Sequence, residues 1–226
     1  MSDVNFHLSY VTIFPMSVLT RNEILDLLKK EKLKFAPELD QFQLQGHSID
    51  LRLGYSFMVP RVWELVSEGR VALNIDRFKS DKKSFEIIEL EEGQYFEILP
   101  GEHVIVSTLE KITLPTTVMG VLYPRSSVNR RGLSLDLTGI VDAGYEGTLV
   151  VPVRNTTGSQ VIRVYPGERF CQIVLHPLMS EVKMEQSRWH NRDTTVEVLP
   201  ERNTSEMDLL EKGDLRKLKQ DFKLEF

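Results

Sequence analysis

Arginine and serine side chains cluster in the segment PRSSVNRR, directly after a run of strand-forming residues. Arg125, Ser126 and Ser127 can each donate hydrogen bonds, and Arg130 adds another guanidinium group a few residues later. A guanidinium fork beside hydroxyl groups can bind the oxygens of a phosphate without a glycine-rich loop. The same residues could equally form a surface turn with solvated arginines. Spacing alone therefore leaves an anion site and a plain turn both open.

A second polar group lies in the segment GIVDAGYEG, between Gly139 and Gly147. The glycines indicate a hairpin tip whose backbone, beginning at Gly139, could face a ligand. Asp142 could orient a water molecule as general base or bind a sugar hydroxyl. It could equally cap the turn by bonding its own backbone. The ring of Tyr145 could stack on a sugar or pack at the edge of a sheet.

The overall composition narrows the classes of ligand and location. The 226-residue chain has a formal net charge of -5, so it carries no general basic field, and we predict no nucleic-acid partner. The absence of a run of about 18 apolar residues predicts no membrane partner. A single cysteine permits no internal disulfide and favours the cytoplasm. The sequence also lacks the P-loop, dinucleotide-binding and nucleophile-elbow patterns, and the ligand set of a zinc deaminase.

The elements that must position these residues are mostly short strands. From Tyr95 onward, runs of strand-forming residues alternate with short Gly and Pro turns, a pattern typical of an all-β sandwich or barrel. Upstream, Thr20 and Glu23 predict a capped helix, and SIDLRLG predicts a half-buried strand. The charged tail with scattered leucines predicts short helices. We predict a β domain with its N-terminal helix over residues 1–180 and a C-terminal extension over 181–226, whose helices pack on the protein or serve as a lid or subunit contact.

Four motifs occur in the order SIDLRLG, RSSVNRRG, GIVDAGYEG and PGERFCQIV. In this order they resemble the family that joins the trimeric dUTP diphosphatases with the dCTP deaminases, including the bifunctional members. The resemblance implies a mainly β, distorted β-barrel or jelly-roll-like subunit. It also implies a homotrimer with active sites between subunits and a deoxynucleoside triphosphate as substrate. The N-terminal helix and the overall length resemble the deaminase branch.

The resemblance assigns phosphate-binding roles to residues at matching positions. Arg125, Ser126 and Ser127 match the phosphate-binding turn, and Gln172 matches the glutamine of the motif that closes the site. Arg130 stands where the deaminases also have an arginine. The tail lacks the closing motif of either branch, so Arg188, His190 and Arg192 are candidates for triphosphate contacts only by charge and place.

On the sugar side, the resemblance implies that Asp142 contacts the deoxyribose 3′-hydroxyl and the attacking water. Tyr145 would lie under the sugar and leave no room for a 2′-hydroxyl. Asp50 matches an aspartate that helps to organise the water shell of magnesium. We therefore predict Asp142 and Asp50 as catalytic and the backbone at Gly139 as substrate-binding. The implied cofactor is Mg²⁺, held by the triphosphate and water and not directly by the protein.

One position separates the two branches of the family. The deaminases carry a proton-shuttling glutamate ten residues after the hairpin aspartate, and here that position is Pro152. Proline has no proton to move, which disfavours deamination by the family mechanism. The missing N–H of Pro152 would have to fall at an unpaired strand position or a bulge. Leu137, where the deaminases have threonine, and Pro124, in place of a glycine, are further departures.

Together these patterns predict a Mg²⁺-dependent dUTP diphosphatase that releases dUMP and pyrophosphate. Two alternatives stay open at this point. One is a dCTP deaminase with a rearranged proton shuttle. The other is a non-catalytic relative that keeps the nucleotide pocket as a binding or regulatory module.

Overall fold

The computed structural model describes residues 17–73, 84–136, 139–183 and 204–223. The helices in these ranges are α1 (Arg21–Lys29), α2 (Ser126–Arg130), α3 (Thr204–Glu211) and α4 (Leu215–Asp221). The strands are β1 (Lys34–Ala36), β2 (Ile49–Pro60), β3 (Trp63–Val66), β4 (Gly69–Ala72), β5 (Phe85–Glu89), β6 (Phe96–Ile98), β7 (His103–Thr113), β8 (Val118–Pro124), β9 (Leu133–Leu135), β10 (Ile140–Val141), β11 (Glu146–Asn155), β12 (Ile162–Val164) and β13 (Arg169–Pro177). Within these ranges, no helix is long and apolar enough to cross a membrane.

One antiparallel sheet organises the molecule. Its strands follow the order β10, β8, β13, β2, β7, β11 and β9, with β1 added on β7 and β5 on β2. The long strands β2 and β7 each pair with three others, and register shifts interrupt β2, β11 and β13. Such irregularities bend strands and increase their twist, so the sheet curls. The predicted mainly β, distorted barrel or jelly-roll-like fold is confirmed.

Glycine at position 54 permits the close approach of β2 and β7. A Cβ atom there would lie 2.4 Å from Ser107 Oγ and 3.0 Å from the Thr108 carbonyl oxygen. Contacts that short are repulsive, so only glycine lets the two backbones come together at this point. Gly54 lies where the β2 register to β7 shifts, between Leu53 and Phe57.

Alternation of side chains places the core on one face of the sheet. Along β11, Val151 and Val153 are buried while Val150 and Arg154 point outward. Inward residues of the other strands join them around the stacked rings of Phe57 and Phe96, whose centroids lie 4.5 Å apart. The apolar cluster includes Ile24, Ile49, Leu51, Ile98, Val104, Ile112, Phe170, Ile173 and Leu175.

The helices at the two ends of the chain agree with the sequence patterns. The backbone N–H of Thr20 donates to Glu23 Oε2 at 2.7 Å, which confirms the predicted capping box of α1. Ile24 anchors this helix in the core. In the tail, α3 and α4 confirm the predicted short helices and are separated at Gly213, which has a φ of 69°. The proposed boundary at residue 180 stays a prediction.

One expectation about β2 was wrong. The alternation in SIDLRLG predicts a half-buried strand, yet even Asp50, one of its polar residues, is only 2% exposed. Leu51 and Leu53 are buried as well, so the first part of β2 is covered on both faces. The reason is that Asp50 pairs with Arg125 and Arg169. A period-two pattern carries no information about such partners.

Candidate anion site and the separated hairpin

Asp50 is a buried carboxylate near the start of β2 that holds two arginines. Its Oδ2 lies 3.0 Å from Arg125 Nε and 3.1 Å from Arg169 Nη1. Sheet register explains the meeting, because Asp50 and Tyr123 lie opposite the same residue, Gln172, from the two sides of β13. One carboxylate thus holds the guanidinium group of the residue after β8 next to that of the first residue of β13.

The charge balance of this cluster favours an anion. Burial raises the pKa of the Asp50 carboxyl, and Arg125 and Arg169 oppose that rise. Their side chains remain 26% and 28% exposed, so both can still donate to a ligand. Arg125 Nη1 also donates to the Arg169 carbonyl oxygen at 3.1 Å, which couples the two backbones. Two cations around one carboxylate leave a local positive charge that suits an oxyanion.

Gln172 lies between the residue before Arg125 and the segment that leads into Asp50. Its Nε2 donates to the Pro124 carbonyl oxygen at 3.4 Å. Its Oε1 accepts from Ser48 Oγ at 3.4 Å. The amide therefore connects the residue before Arg125 with the segment that leads into Asp50. This position makes Gln172 a link between the two motifs.

The serine turn of the sequence is the first turn of the short helix α2. Arg125 is its N-cap residue, and Ser126 and Ser127 follow on the exposed side. Val128 is buried and anchors the helix in the core. The exposed Arg130 ends the helix. The structure therefore leaves both serines exposed, directly after Arg125 in the chain.

Sequence reasoning missed Arg169, which belongs to the PGERFCQIV motif. A strict alternation places residues 169 and 172 on opposite faces of a strand. Here the β13 register shifts between Arg169 and Cys171, and this irregularity turns Arg169 toward Asp50. The available signal was the position of Arg169 inside the motif that the resemblance assigns to closing the site. Its partner could not be read from the spacing.

The hairpin that carries Asp142 and Tyr145 lies elsewhere on the sheet. Gly139 accepts a hydrogen bond from the Leu122 N–H at 3.0 Å. Asp142 is exposed, and its carbonyl oxygen accepts from the Tyr145 N–H at 3.1 Å, which closes the tip as a turn. The Tyr145 hydroxyl donates to the Thr148 carbonyl oxygen at 2.7 Å.

Strand register separates this hairpin from the anion site. Val141 pairs with Gly120 on β8, so Asp142 lies opposite the position of Met119. Arg125 lies at the other end of β8, six residues further along, a distance of about 20 Å in extended strand. Asp50, Arg125 and Gln172 are thus brought together within one chain, and Ser126 adjoins Arg125 in the sequence. Asp142 and Tyr145 are not part of this group.

A direct metal site is absent from the described part of the chain. Its residues contain no group of three His, Cys, Asp or Glu side chains placed to hold an ion. The Asp50 carboxylate is occupied by two arginines. Some residues singled out in the sequence lie outside the described ranges, namely Leu137, Arg188, His190 and Arg192.

The comparisons with known proteins agree on one family. The model of dCTP deaminase-like domains matches residues 18–178. This chain belongs to the dCTP deaminase-like family. It is 36% identical over 182 residues to "dCTP deaminase, dUMP-forming" of Dictyoglomus thermophilum, covering 77% of this chain and 90% of that protein. The protein of the same name from Aquifex aeolicus is 35% identical over 157 residues, covering 70% and 79%.

A solved structure of the dCTP deaminase-like family is also similar. The crystal structure of 2′-deoxycytidine 5′-triphosphate deaminase from Agrobacterium tumefaciens superposes with a TM-score of 0.53 at 25% sequence identity. The match covers 71% of this chain and 48% of that chain. The fold is therefore that of the dCTP deaminase-like family.

In this dCTP deaminase-like protein, Pro152 occupies the position where the resemblance implies a proton-shuttling glutamate. It lies in β11 opposite Ile105 of β7. Its carbonyl oxygen accepts from the Asp136 N–H at 3.1 Å, so the ring nitrogen also faces the β9 side, just past the last residue of that strand. The missing N–H thus falls at the end of a ladder and leaves the pairing with β7 undisturbed.

Tyr145→Phe is expected to lower the free energy of unfolding by about 1 kcal/mol at neutral pH, because the bond to the Thr148 carbonyl is lost. Burial raises the pKa of Tyr145 from 10.0 to about 12. A raised folded-state pKa stabilises the folded protein below pH 10, and that stabilisation is lost as the pH rises through 12. The difference between wild type and variant should therefore narrow across this window. Urea unfolding of both proteins from neutral to alkaline pH measures this difference in unfolding free energy.

The control for this prediction is Tyr123→Phe, which alters an exposed ring. It should leave both the stability and its pH dependence unchanged. A Tyr145→Phe protein as stable as wild type at neutral pH would contradict the role given to the Thr148 bond.

Proposed function

We propose that this dCTP deaminase-like protein hydrolyses dUTP to dUMP and pyrophosphate. The observation that carries the proposal is Pro152, an ordered strand residue without a titratable group at the position where the resemblance implies a proton shuttle. The anion site of Asp50, Arg125 and Arg169 supports phosphate binding independently of that position. Losing the shuttle while keeping the phosphate site removes deamination and leaves pyrophosphate release.

The chemistry assigned to the side chains is an in-line displacement at the α-phosphorus. Asp142 accepts a proton from water as the water oxygen bonds to phosphorus. The bond from phosphorus to the bridging oxygen breaks, and its electron pair leaves with pyrophosphate. Arg125 and Ser126 donate to the phosphate oxygens that gain charge, which stabilises the transition state.

Magnesium enters this proposal as an ion carried by the substrate. The described residues offer no set of carboxylates for it, and Asp50 already holds two guanidinium groups. When bound to the triphosphate, Mg²⁺ offsets phosphate charge and polarises the phosphoryl oxygens. Asp50 contributes by holding the arginines, and its contact with the metal's water shell stays a prediction.

We further propose that each site combines residues of two subunits in a homotrimer. Asp142 and Arg125 are about 20 Å apart along β8 in one chain. A water held by Asp142 and a phosphate held by Arg125 must be in contact, so the two residues have to come from different copies. The family resemblance implies this arrangement, and the strand register supports it.

A second candidate function follows from the relatives. Those from Dictyoglomus thermophilum and Aquifex aeolicus carry the name "dCTP deaminase, dUMP-forming". A chain that formed dUMP from dCTP would have to release both ammonia and pyrophosphate. In this protein the first of these steps would need a proton carrier other than residue 152.

The test is incubation of the purified full chain with Mg²⁺ and each deoxynucleoside triphosphate in turn. Chromatography separates the nucleotides, and pyrophosphate and ammonia are measured separately. Formation of dUMP and pyrophosphate from dUTP alone is the expected result. Ammonia released from dCTP would overturn the interpretation of Pro152. Nucleotide binding without any turnover would replace the enzyme by a binding or regulatory module.

Pro152→Ala is expected to leave the rate of dUTP hydrolysis within about threefold of wild type, because residue 152 moves no proton. Its stability should also change by less than about 0.5 kcal/mol, since the restored N–H lies at the end of the β9 ladder. Steady-state kinetics and urea unfolding measure the two effects. A hundredfold loss of turnover would show that the proline itself shapes the site.

A further inference from the structure

A buried polar network lies behind Asp50 and is not explained by ligand binding. Glu110 of β7 is 1% exposed and Gln43, in the segment before β2, is 2% exposed. Gln43 Nε2 donates to Glu110 Oε1 at 2.7 Å. The Arg52 N–H donates to Glu110 Oε2 at 3.0 Å. Burial raises the pKa of Glu110, so the fold keeps a polar group here at a cost that apolar packing would avoid.

Hydrogen bonds of this network hold the backbone at Asp50 and at Arg52. Gln43 binds the backbone of Asp50 twice, because its carbonyl accepts the Asp50 N–H at 2.8 Å and its Nε2 donates to the Asp50 carbonyl at 2.9 Å. The Glu110 carboxylate accepts from the Gln43 side-chain amide and also from the N–H of Arg52, two residues after Asp50. One carboxylate thereby fixes the backbone before and after the aspartate.

Sheet geometry makes this bracing necessary. The ladder between β2 and β7 is regular only around Leu53 and again from Phe57, with a register shift between them. The Arg52 N–H therefore donates to the Glu110 side chain in the place of a ladder bond. Without it, the part of β2 that carries Asp50 would lose a bond to β7. Displacing Asp50 by 1 Å would break contacts of 3.0 and 3.1 Å to two arginines.

We propose that Glu110 is a positioning residue for the anion site: through Gln43 and the Arg52 N–H it sets the place of Asp50, and so holds Arg125 and Arg169 together. The geometric part of this inference concerns only the folded chain. Its consequence for nucleotide binding rests on the proposed function. The two parts are tested by different measurements.

The first measurement needs no ligand. In ¹⁵N-labelled protein, the Nε–H of Arg125 should give a resolved, slowly exchanging NMR signal because the ion pair with Asp50, at 3.0 Å, restrains the side chain, and Arg125→Lys assigns that signal. In Glu110→Gln this N–H should exchange with water at least about tenfold faster, which broadens its signal. Thr108→Val is the matched control. It removes buried hydrogen bonds on the same strand, to the Glu110 carbonyl and from the Leu149 N–H, without touching Gln43 or Asp50.

The outcomes separate positioning from mere stability. Loss of the Arg125 signal in Glu110→Gln but not in Thr108→Val, with both proteins folded, supports the proposal. Retention of the signal in Glu110→Gln overturns it, whatever the protein catalyses. Should Glu110→Gln fail to fold, Gln43→Met removes the same link from the other side and should produce the same loss.

The second measurement reports on function through a double-mutant cycle. Affinity for a non-hydrolysable dUTP analogue should fall about tenfold in Glu110→Gln and be unchanged in Thr108→Val. In an Asp50→Asn background, Glu110→Gln should have no further effect, because its action passes through Asp50. If the two substitutions instead cause additive losses of binding free energy, the proposal is overturned. Absence of analogue binding to wild type would instead count against the proposed function and leave the NMR result to decide the positioning role.

Discussion

Asp50→Ala is expected to lower the free energy of unfolding by about 3 kcal/mol. The substitution removes the carboxylate that lies 3.0 and 3.1 Å from two guanidinium groups. Arg125 and Arg169 then face each other as unpaired cations, and a buried cavity with polar walls replaces their partner. Their partial exposure keeps the loss toward the lower end of the range for broken buried pairs. Urea unfolding monitored by circular dichroism measures the change.

Asp40→Ala provides the matched control for Asp50. Asp40 also binds an arginine, because its Oδ2 accepts from Arg52 Nε at 3.0 Å and Nη2 at 2.6 Å. Its side chain is 41% exposed, so water can replace the lost contacts, and the expected cost is at most about 1 kcal/mol. Equal losses for the two variants would show that burial adds nothing at Asp50, and would remove the basis for its role as the anchor of the arginines.

The largest functional effect is expected from mixing two inactive variants. Arg125→Ala and Asp142→Ala should each lose at least about a hundredfold in dUTP hydrolysis, because each removes a group that acts in the transition state. Co-expressed in equal amounts, they should recover about a quarter of the wild-type sites. Each site needs an intact Arg125 from one subunit and an intact Asp142 from its neighbour. Random assembly supplies both in that fraction of the interfaces.

Each single variant carried through the same procedure is the control and should stay inactive. If stable mixed assemblies form but remain inactive, both residues of a site belong to one chain. That result would contradict the separation along β8. A mass in solution of one 26.1 kDa chain would contradict it more directly. Activity measured against the mixing ratio should follow the product of the two subunit fractions.

Much of the fold and part of the site could be predicted from the sequence. The capping box at Thr20 and Glu23 and the strand-and-turn rhythm are local signals, set by hydrogen bonds and side-chain alternation between near neighbours. Gln172 lies next to the residue before Arg125, and its role in closing the site stays a prediction. Arg169 was missed, because a register shift in β13 changed its face. The burial of Asp50 was not predicted, because its partners lie far away in the sequence.

By itself, the sequence determined the kinds of groups available and their order: an arginine turn, a hairpin carboxylate, and a proline where a proton carrier is expected. Only the tertiary structure decided which of them meet. Sheet register joins Asp50 to Arg169, 119 residues later, and the same register separates Asp142 from Arg125 although they are close in the chain. The physical reason is that alternation specifies the face of a residue, whereas pairing between distant strands specifies its neighbours.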